Sequence, residues 1–276
     1  MATLRETKEH IASVRSTLKI TSAMKLVASS RLRKAQRAIE LLRPYEAALV
    51  SIYGEFAQRC PAAAGPLPLA IVAISSNSSL CGSFNANVIK KTLSVLPDGA
   101  VVYSIGRKMA EAMKKTGHSS PLDLDNLSAH PSYGEAAALA DELSEAFACG
   151  KFSRILLVYN HFENASRQLP VVEQYLPFQA PAGESPSAFP PEEYFILEPD
   201  KEEIARELLP KVLRLRLYAA VLDSAAAEHA ARTVAMQTAS DNALDLLEEL
   251  TLEYNKARQQ KITAELLDLT SSQDCR

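Results

Sequence analysis

The sequence predicts an α/β protein in which the two ends of the chain form a long antiparallel coiled coil beside a central α/β domain with a mostly parallel sheet. Three observations carry that prediction. Residues 3–56 place apolar side chains at alternating steps of three and four, the period of a coiled-coil seam. Residues 67–178 change to short, wholly apolar runs alternating with helical stretches, the pattern of parallel strands covered on both faces. Beyond Pro199 the chain returns to helix, with a second seam rich in alanine. The expected division is therefore a helix over 1–60, a central domain over 61–200 and a second helix over 201–276 that pairs with the first.

Composition narrows the classes further. Hydrophobic residues make up 47% and charged residues 23%, enough apolar surface for a packed core and too much for a disordered chain. A net charge of −3 gives the whole molecule no electrostatic hold on nucleic acid. The charge is unevenly placed, however. Residues 1–56 hold ten Lys or Arg against five Glu, whereas 57–200 and 201–276 are net acidic. The four cysteines (Cys60, Cys81, Cys149, Cys275) have no paired spacing, which suits a reducing compartment. The first residues lack the apolar core of a signal peptide, and no run nears the ~20 apolar residues of a spanning helix. A soluble chain is expected, with room for a place on a membrane complex.

The first seam runs Ile11, Val14, Leu18, Thr21, Lys25, Ala28, Leu32, Ala35, Ile39, Leu42, Glu46, Leu49, Tyr53 and Phe56. Ile20, Met24 and Val27 fall on another face, and basic residues crowd between Glu9 and Glu40 with no acid among them. Such a run is ordinarily a solvated face. Apolar residues on two faces with cations between them instead point to an acidic partner enclosing the helix. Pro44 predicts a bend near residues 41–46, because an interior proline removes one helical hydrogen bond. Residues 60–66, rich in Pro and Ala, read as a linker.

Strands are then expected at 67–74, 100–105, 154–162 and 171–178, with helices near 85–96, 106–117 and 134–147. Together they describe a Rossmann-like α/β domain. Residues 179–199 read as a surface loop, with a short strand at 194–197. Asp200, followed by Glu202 and Glu203, is a helix start. The last helix has its seam at Leu213, Leu217, Ala220, Ser224, Ala227, Ala231, Val234 and Thr238, drifting to Leu246, Leu250 and Tyr254. At 1.5 Å per residue the first helix spans about 80 Å and the last about 90–100 Å, so the last overshoots its partner. The overshoot carries Ile262, Leu266, Leu267 and Leu269, which need a sleeve from another protein.

No active site emerges from the residues. The turn Ser75-Ser-Asn-Ser-Ser-Leu-Cys-Gly-Ser-Phe-Asn85 follows the first strand, where α/β folds place phosphates. It has one Gly, no Lys, and neither nucleotide-binding fingerprint. Cys81 precedes a helix without a nearby His, and the five histidines form no metal-ligand pair. No catalytic, cofactor-binding or metal residues are therefore assigned.

The terminal helices resemble a known family. Ile20-Thr-Ser-Ala-Met-Lys-Leu-Val-Ala-Ser-Ser-Arg-Leu-Arg-Lys-Ala-Gln36 is similar to the N-terminal signature of the gamma subunit of F-type, proton-translocating ATP synthase, bacterial type. Glu228-His-Ala-Ala-Arg-Thr-Val-Ala-Met236, Ser240-Asp-Asn-Ala243 and Leu250-Thr-Leu-Glu-Tyr-Asn-Lys-Ala-Arg-Gln-Gln-Lys-Ile-Thr-Ala-Glu-Leu266 resemble its C-terminal signature. Leu80-Cys-Gly-Ser-Phe-Asn85 and Pro170-Val-Val-Glu-Gln-Tyr-Leu-Pro177 look like its middle-domain markers. The resemblance implies a non-catalytic rotor shaft inside a hexameric head of alpha and beta subunits, resting on the membrane c-ring with the epsilon subunit. It implies no cofactor, and a peripheral place on the cytoplasmic face of a bacterial plasma membrane. By the same resemblance Arg258 and Gln259 bond a beta-subunit loop, Met24 and Lys25 face the beta subunits' acidic segment, and Ile262, Leu266 and Leu269 lie in an apolar bearing. Ile20 and Val27 complete the expected partner-contact set. The family usually has Asp-Arg-Gly where this sequence has Asn77-Ser78-Ser79. A different reading, a small-molecule-binding α/β enzyme with helical dimerisation arms, requires a converging polar pocket near Ser76 and Asn160.

Overall fold

The computed structural model describes residues 4–56, 67–178 and 200–273. Its elements run α1 (Leu4–Phe56), β1 (Leu69–Ile74), α2 (Phe84–Ser94), β2 (Val101–Ile105), α3 (Arg107–Lys115), α4 (Asp125–Ala129), α5 (Tyr133–Ala148), β3 (Arg154–Phe162), β4 (Gln168–Leu176) and α6 (Lys201–Gln273). They divide into two compact units, Met1–Ala28 with Thr233–Arg276, and Ser29–Arg232. The expected linker at 60–66, the loop at 179–199 and the strand at 194–197 lie outside the described residues.

In the larger unit the strands form one sheet in the order β2-β1-β3-β4. β1 pairs in parallel with both neighbours, Val72 opposite Tyr103 on one side and Leu157 on the other. β4 closes the sheet antiparallel to β3 through a short turn, with Val158 opposite Val172. It starts three residues earlier than the sequence suggests and contains Pro170, a residue tolerated where a strand has a neighbour on one side only. The short helix α4 was also unforeseen, since five residues show no helical period.

Alternation on β1 separates the two faces. Ile71 and Ala73 join Val102 and Val158 against Val88 of α2 and Met109 and Met113 of α3. Val72 and Ile74 join Tyr103, Ile105, Ile155 and Leu157 against Leu127, Leu139 and Leu143 of α4 and α5, and against Leu213, Leu217 and Val221 of α6. So α6 is one of the layers of the α/β domain as well as a coiled-coil strand. Its opposite side places Val212 and Leu215 against Leu49 and Tyr53 of α1. Enclosure on two sides explains the alanines: Ala226, Ala227 and Ala230 are wholly buried, where larger side chains have no space.

The smaller unit is an antiparallel helix pair. Thr21 and Ser240 share a hydroxyl–hydroxyl bond of 2.8 Å, and Lys25 Nζ donates to Gln237 Oε1 at 2.6 Å. Every expected α1 seam position from Ile11 to Tyr53 is buried or half-buried. The α6 seam needs a correction past Ala231. Val234 and Leu246 are 42% and 43% exposed, and Thr238 is exposed too, while Met236, Ser240, Ala243, Leu247, Leu250, Tyr254 and Ala257 turn inward. The switch from a sheet-packed to a helix-packed environment shifts which side is covered, and sequence period alone carries no mark of it. Both helices continue through their prolines, Pro44 and Pro210. Asp200 caps α6 by accepting from Glu203 N at 2.9 Å.

Candidate partner-binding surface

Seam geometry determines what the smaller unit offers to a partner. Because Thr21, Lys25 and Ala28 turn inward, Ile20 and Val27 are left 57% and 54% exposed, with Leu26 at 68% and Met24 half-buried between them. Arg15 and Lys19 are exposed on the same stretch of helix. The result is an apolar stripe beside exposed cations, a combination that favours an amphipathic, acidic partner surface. Lys25 lies on the seam as expected, its ammonium bonded within the coiled coil to Gln237.

Farther along α6 of this unit, Ala257 is the last half-buried residue among those described. Every described side chain from Arg258 to Leu267 is exposed, including Gln259, Ile262 and Leu266. Ile262 and Leu266 are one helical turn apart and thus share a face. Leu269 lies within α6, and its side chain is outside the described residues. The structure thus gathers Arg258, Gln259, Ile262 and Leu266 on one projecting stretch and keeps Ile20, Met24 and Val27 apart from it on α1.

Sequence reasoning missed a groove along α6 lined by Leu244, Leu247, Glu248, Thr251, Leu252, Asn255, Lys256 and Gln259. Leu244 and Leu252 are 49% and 59% exposed. Placing the α6 seam on Leu247, Leu250 and Tyr254 would have left both leucines visibly off it.

The turn after β1 has a structural use for its polar atoms. Ser75 Oγ accepts from Met109 N at 2.8 Å, and Asn85 Oδ1 accepts from Ser76 N at 3.1 Å. Asn77 accepts from Arg107 N at 2.9 Å and donates to the Asp125 carbonyl at 2.7 Å, tying the turn to α3 and α4. Asn85 Nδ2 donates to Cys81 Sγ at 3.2 Å, and Asn160 Nδ2 to the Phe84 carbonyl at 3.0 Å. Ser76, Cys81 and Asn160 are each at most 1% exposed, so these three present no open face to solvent. Among the described residues no group of three or more His, Cys, Asp or Glu is arranged to hold a metal, and no helix is long and apolar enough to cross a membrane.

Charged groups are instead buried or half-buried where α6 meets the rest of the larger unit. Asp223 accepts from Phe162 N at 3.2 Å and shares a 2.5 Å bond with His161 Nδ1. Tyr159 donates to Glu173 at 2.8 Å, and Arg216 reaches the same carboxylate at 3.3 Å. Arg232 Nη1 pairs with Glu228 at 2.6 Å, and its Nη2 donates to Ser78 Oγ at 2.8 Å and to the Ser78 and Ser79 carbonyls at 3.4 Å. Burial pushes the carboxyls of Glu46, Asp223 and Glu228 above the usual range, against the pull of Arg216 on Glu46, His161 on Asp223 and Arg232 on Glu228.

The family model described as ATP synthase matches residues 3–275. The chain is 45% identical to the ATP synthase gamma chain of Phocaeicola vulgatus, covering 98% of each chain. It is 40% identical to that of Flavobacterium johnsoniae, covering 98% of this chain and 97% of the relative. Among solved structures it is similar in fold to a chain of the Euglena gracilis mitochondrial ATP synthase, in its OSCP/F1/c-ring part in rotational state 3, with a TM-score of 0.70 at 20% identity over 99% of this chain and 94% of that one. A chain from the central stalk and c-ring of the Tetrahymena thermophila enzyme gives a TM-score of 0.60 at 23% identity, covering 80% of this chain and 99% of that one.

Proposed function

The chain belongs to the ATP synthase gamma chain family, and from that premise we propose that it is the central rotor shaft of an F-type ATP synthase. It is a non-catalytic subunit, and the bond-making chemistry takes place on the beta subunits. Proton-driven rotation of the membrane ring turns the shaft, and the shaft biases each beta subunit toward binding, making or releasing ATP. A rigid body shifts a conformational equilibrium only by contacting the alternative states unequally. An asymmetric coiled coil with one cationic, apolar-striped side meets that requirement.

The observation that carries this reading is full-length membership of the family. The partners are the alpha and beta subunits of the head, the epsilon subunit and the c-ring. Within the head, Ile20, Met24, Lys25 and Val27 face the beta subunits, Arg258 and Gln259 bond a beta-subunit loop, and Ile262, Leu266 and Leu269 fill an apolar bearing. The exposure of the α1 stripe and of the stretch after Ala257 supports these assignments. The chain acts as a peripheral subunit of a membrane-bound complex, on the cytoplasmic face of a bacterial plasma membrane. The working division is a helix over 1–60, a central domain over 61–200 and a helix over 201–276.

Reconstitution tests the proposal. Alpha and beta subunits mixed with this chain should assemble and, on c-ring-containing vesicles, couple ATP hydrolysis to proton pumping, while the chain alone hydrolyses no ATP. Failure to co-assemble, or hydrolysis by the isolated chain, would sink the reading.

A further inference from the structure

Torque can pass between an α/β domain and a shaft helix only through contacts that resist sliding and twisting. Toward the end of the larger unit the α6 surface is too smooth for that. Ala226, Ala227, Ala230 and Ala231 are buried small residues, and apolar burial is non-directional. Directional contacts must supply the resistance. At Leu213, Arg214 and Arg216 the helix bonds Tyr175, Asp141 and Glu173, and at Asp223 it bonds the end of β3. The final such contact before the larger unit ends is at Arg232, its last residue, beyond which α6 continues unbroken.

The site at Arg232 is built from two rigid halves. Glu228 and Arg232 lie one turn apart on the same helix, each with a side chain 10% exposed, so the carboxylate fixes the direction of the guanidinium. On the other side the Ser78–Ser79 segment is braced through Asn77 to α3 and α4, and through Ser76 and Asn85 to α2. Leu80, next in the chain, has φ 68°, a left-handed conformation that a leucine holds only when its surroundings impose it. One guanidinium therefore meets a carboxylate with one nitrogen and three oxygens of a fixed turn with another. A lysine ammonium cannot span that arrangement, because it is a single point donor rather than a planar fork.

We propose that Arg232, oriented by Glu228, is a positioning residue for torque transfer, locking α6 to the turn after β1 against sliding and rotation. The proposal rests on the rotor reading above. Two variants of the full complex test it. Glu228→Leu with Arg232→Met replaces the buried pair by apolar groups of similar size, a change that commonly preserves stability. Arg232→Lys keeps the charge beside Glu228 and forfeits the fork.

In complexes reconstituted on vesicles, both variants should retain ATP hydrolysis. Protons pumped per ATP hydrolysed should fall below the wild-type ratio. Single-molecule twisting of the shaft should show lower torsional stiffness. If either folded variant keeps the wild-type pumping ratio, the proposal is overturned, whatever its thermal midpoint. Should the double variant not fold, Arg232→Lys decides alone. If the wild-type chain itself fails to couple under the same conditions, the rotor reading falls and takes this proposal with it; normal coupling in both wild type and variants removes the proposal only.

Discussion

Replacing Arg232 by Met alone should destabilise the isolated subunit in a way that depends on pH. In the native structure Glu228 and Arg232 are 7% and 8% exposed, and the arginine is the carboxylate's 2.6 Å partner. Deleting one member of a buried pair leaves an uncompensated charge and costs about 3–5 kcal/mol. At about 2–4 °C per kcal/mol for a chain of this size class, the thermal midpoint falls by about 6–20 °C near pH 8. Burial already raises Glu228 above its unfolded value of 4.5, with Arg232 as the principal opposing influence. Removing that influence raises it further. A carboxyl with a raised native pKa favours the folded state fully below 4.5 and loses that advantage as pH climbs through the native value. The deficit against wild type should therefore shrink on acidification, by up to about 1.4 kcal/mol per pH unit while Glu228 titrates. His229 pushes the same way: burial first, then Arg232 and Arg31, hold it down to about 4, so losing Arg232 eases its penalty in acid. Urea unfolding of both proteins from pH 8 to pH 5 measures the difference. A deficit that stays flat or widens toward pH 5 refutes the account of an unpaired charge. Adding Glu228→Gln to Arg232→Met should recover part of the loss at pH 8.

Other outcomes follow from the same geometry. Arg258→Ala changes an exposed helix residue, so unfolding of the isolated subunit should move by less than about 0.5 kcal/mol, while coupled ATP synthesis in the reconstituted complex drops. A large thermal shift would assign Arg258 to the fold instead. Leu217→Ala empties a wholly buried position between α6 and the sheet, and denaturant titration should show a loss of about 3–5 kcal/mol. Gly106→Ala would put a Cβ 2.3 Å from the Ser75 carbonyl oxygen at φ 99°; the strain of about 1–3 kcal/mol, plus displacement of β1's last residues, should appear as a lowered thermal midpoint. Tyr159→Phe removes the 2.8 Å donor to Glu173 and should cost about 1.5–3 kcal/mol by urea unfolding.

The helices and strands were legible in the sequence because each writes its own period. The α1 seam is a local property: positions three and four apart share a face whatever lies opposite, so Ile11 to Tyr53 were placed correctly from spacing alone. The apolar runs at β1, β2 and β3 likewise mark strands buried on both faces. The family signatures, and with them the projecting stretch of Arg258, Gln259 and Ile262, are also sequence properties. Which side of α6 is covered depends on the neighbour, and that neighbour is the sheet before Arg232 and α1 beyond it. No period encodes that change, so Val234 and Thr238 were misplaced and the Leu244–Leu252 groove went unseen. The Arg232 contact lay further out of reach. Its partners Ser78 and Ser79 are distant in the chain, and only tertiary structure carries an arginine fork to a serine turn. The sequence alone determined two long seams, buried strands and a shaft's signatures; packing decided which faces remain free and where buried charges tie α6 to the sheet, because burial is a property of neighbours rather than of residues.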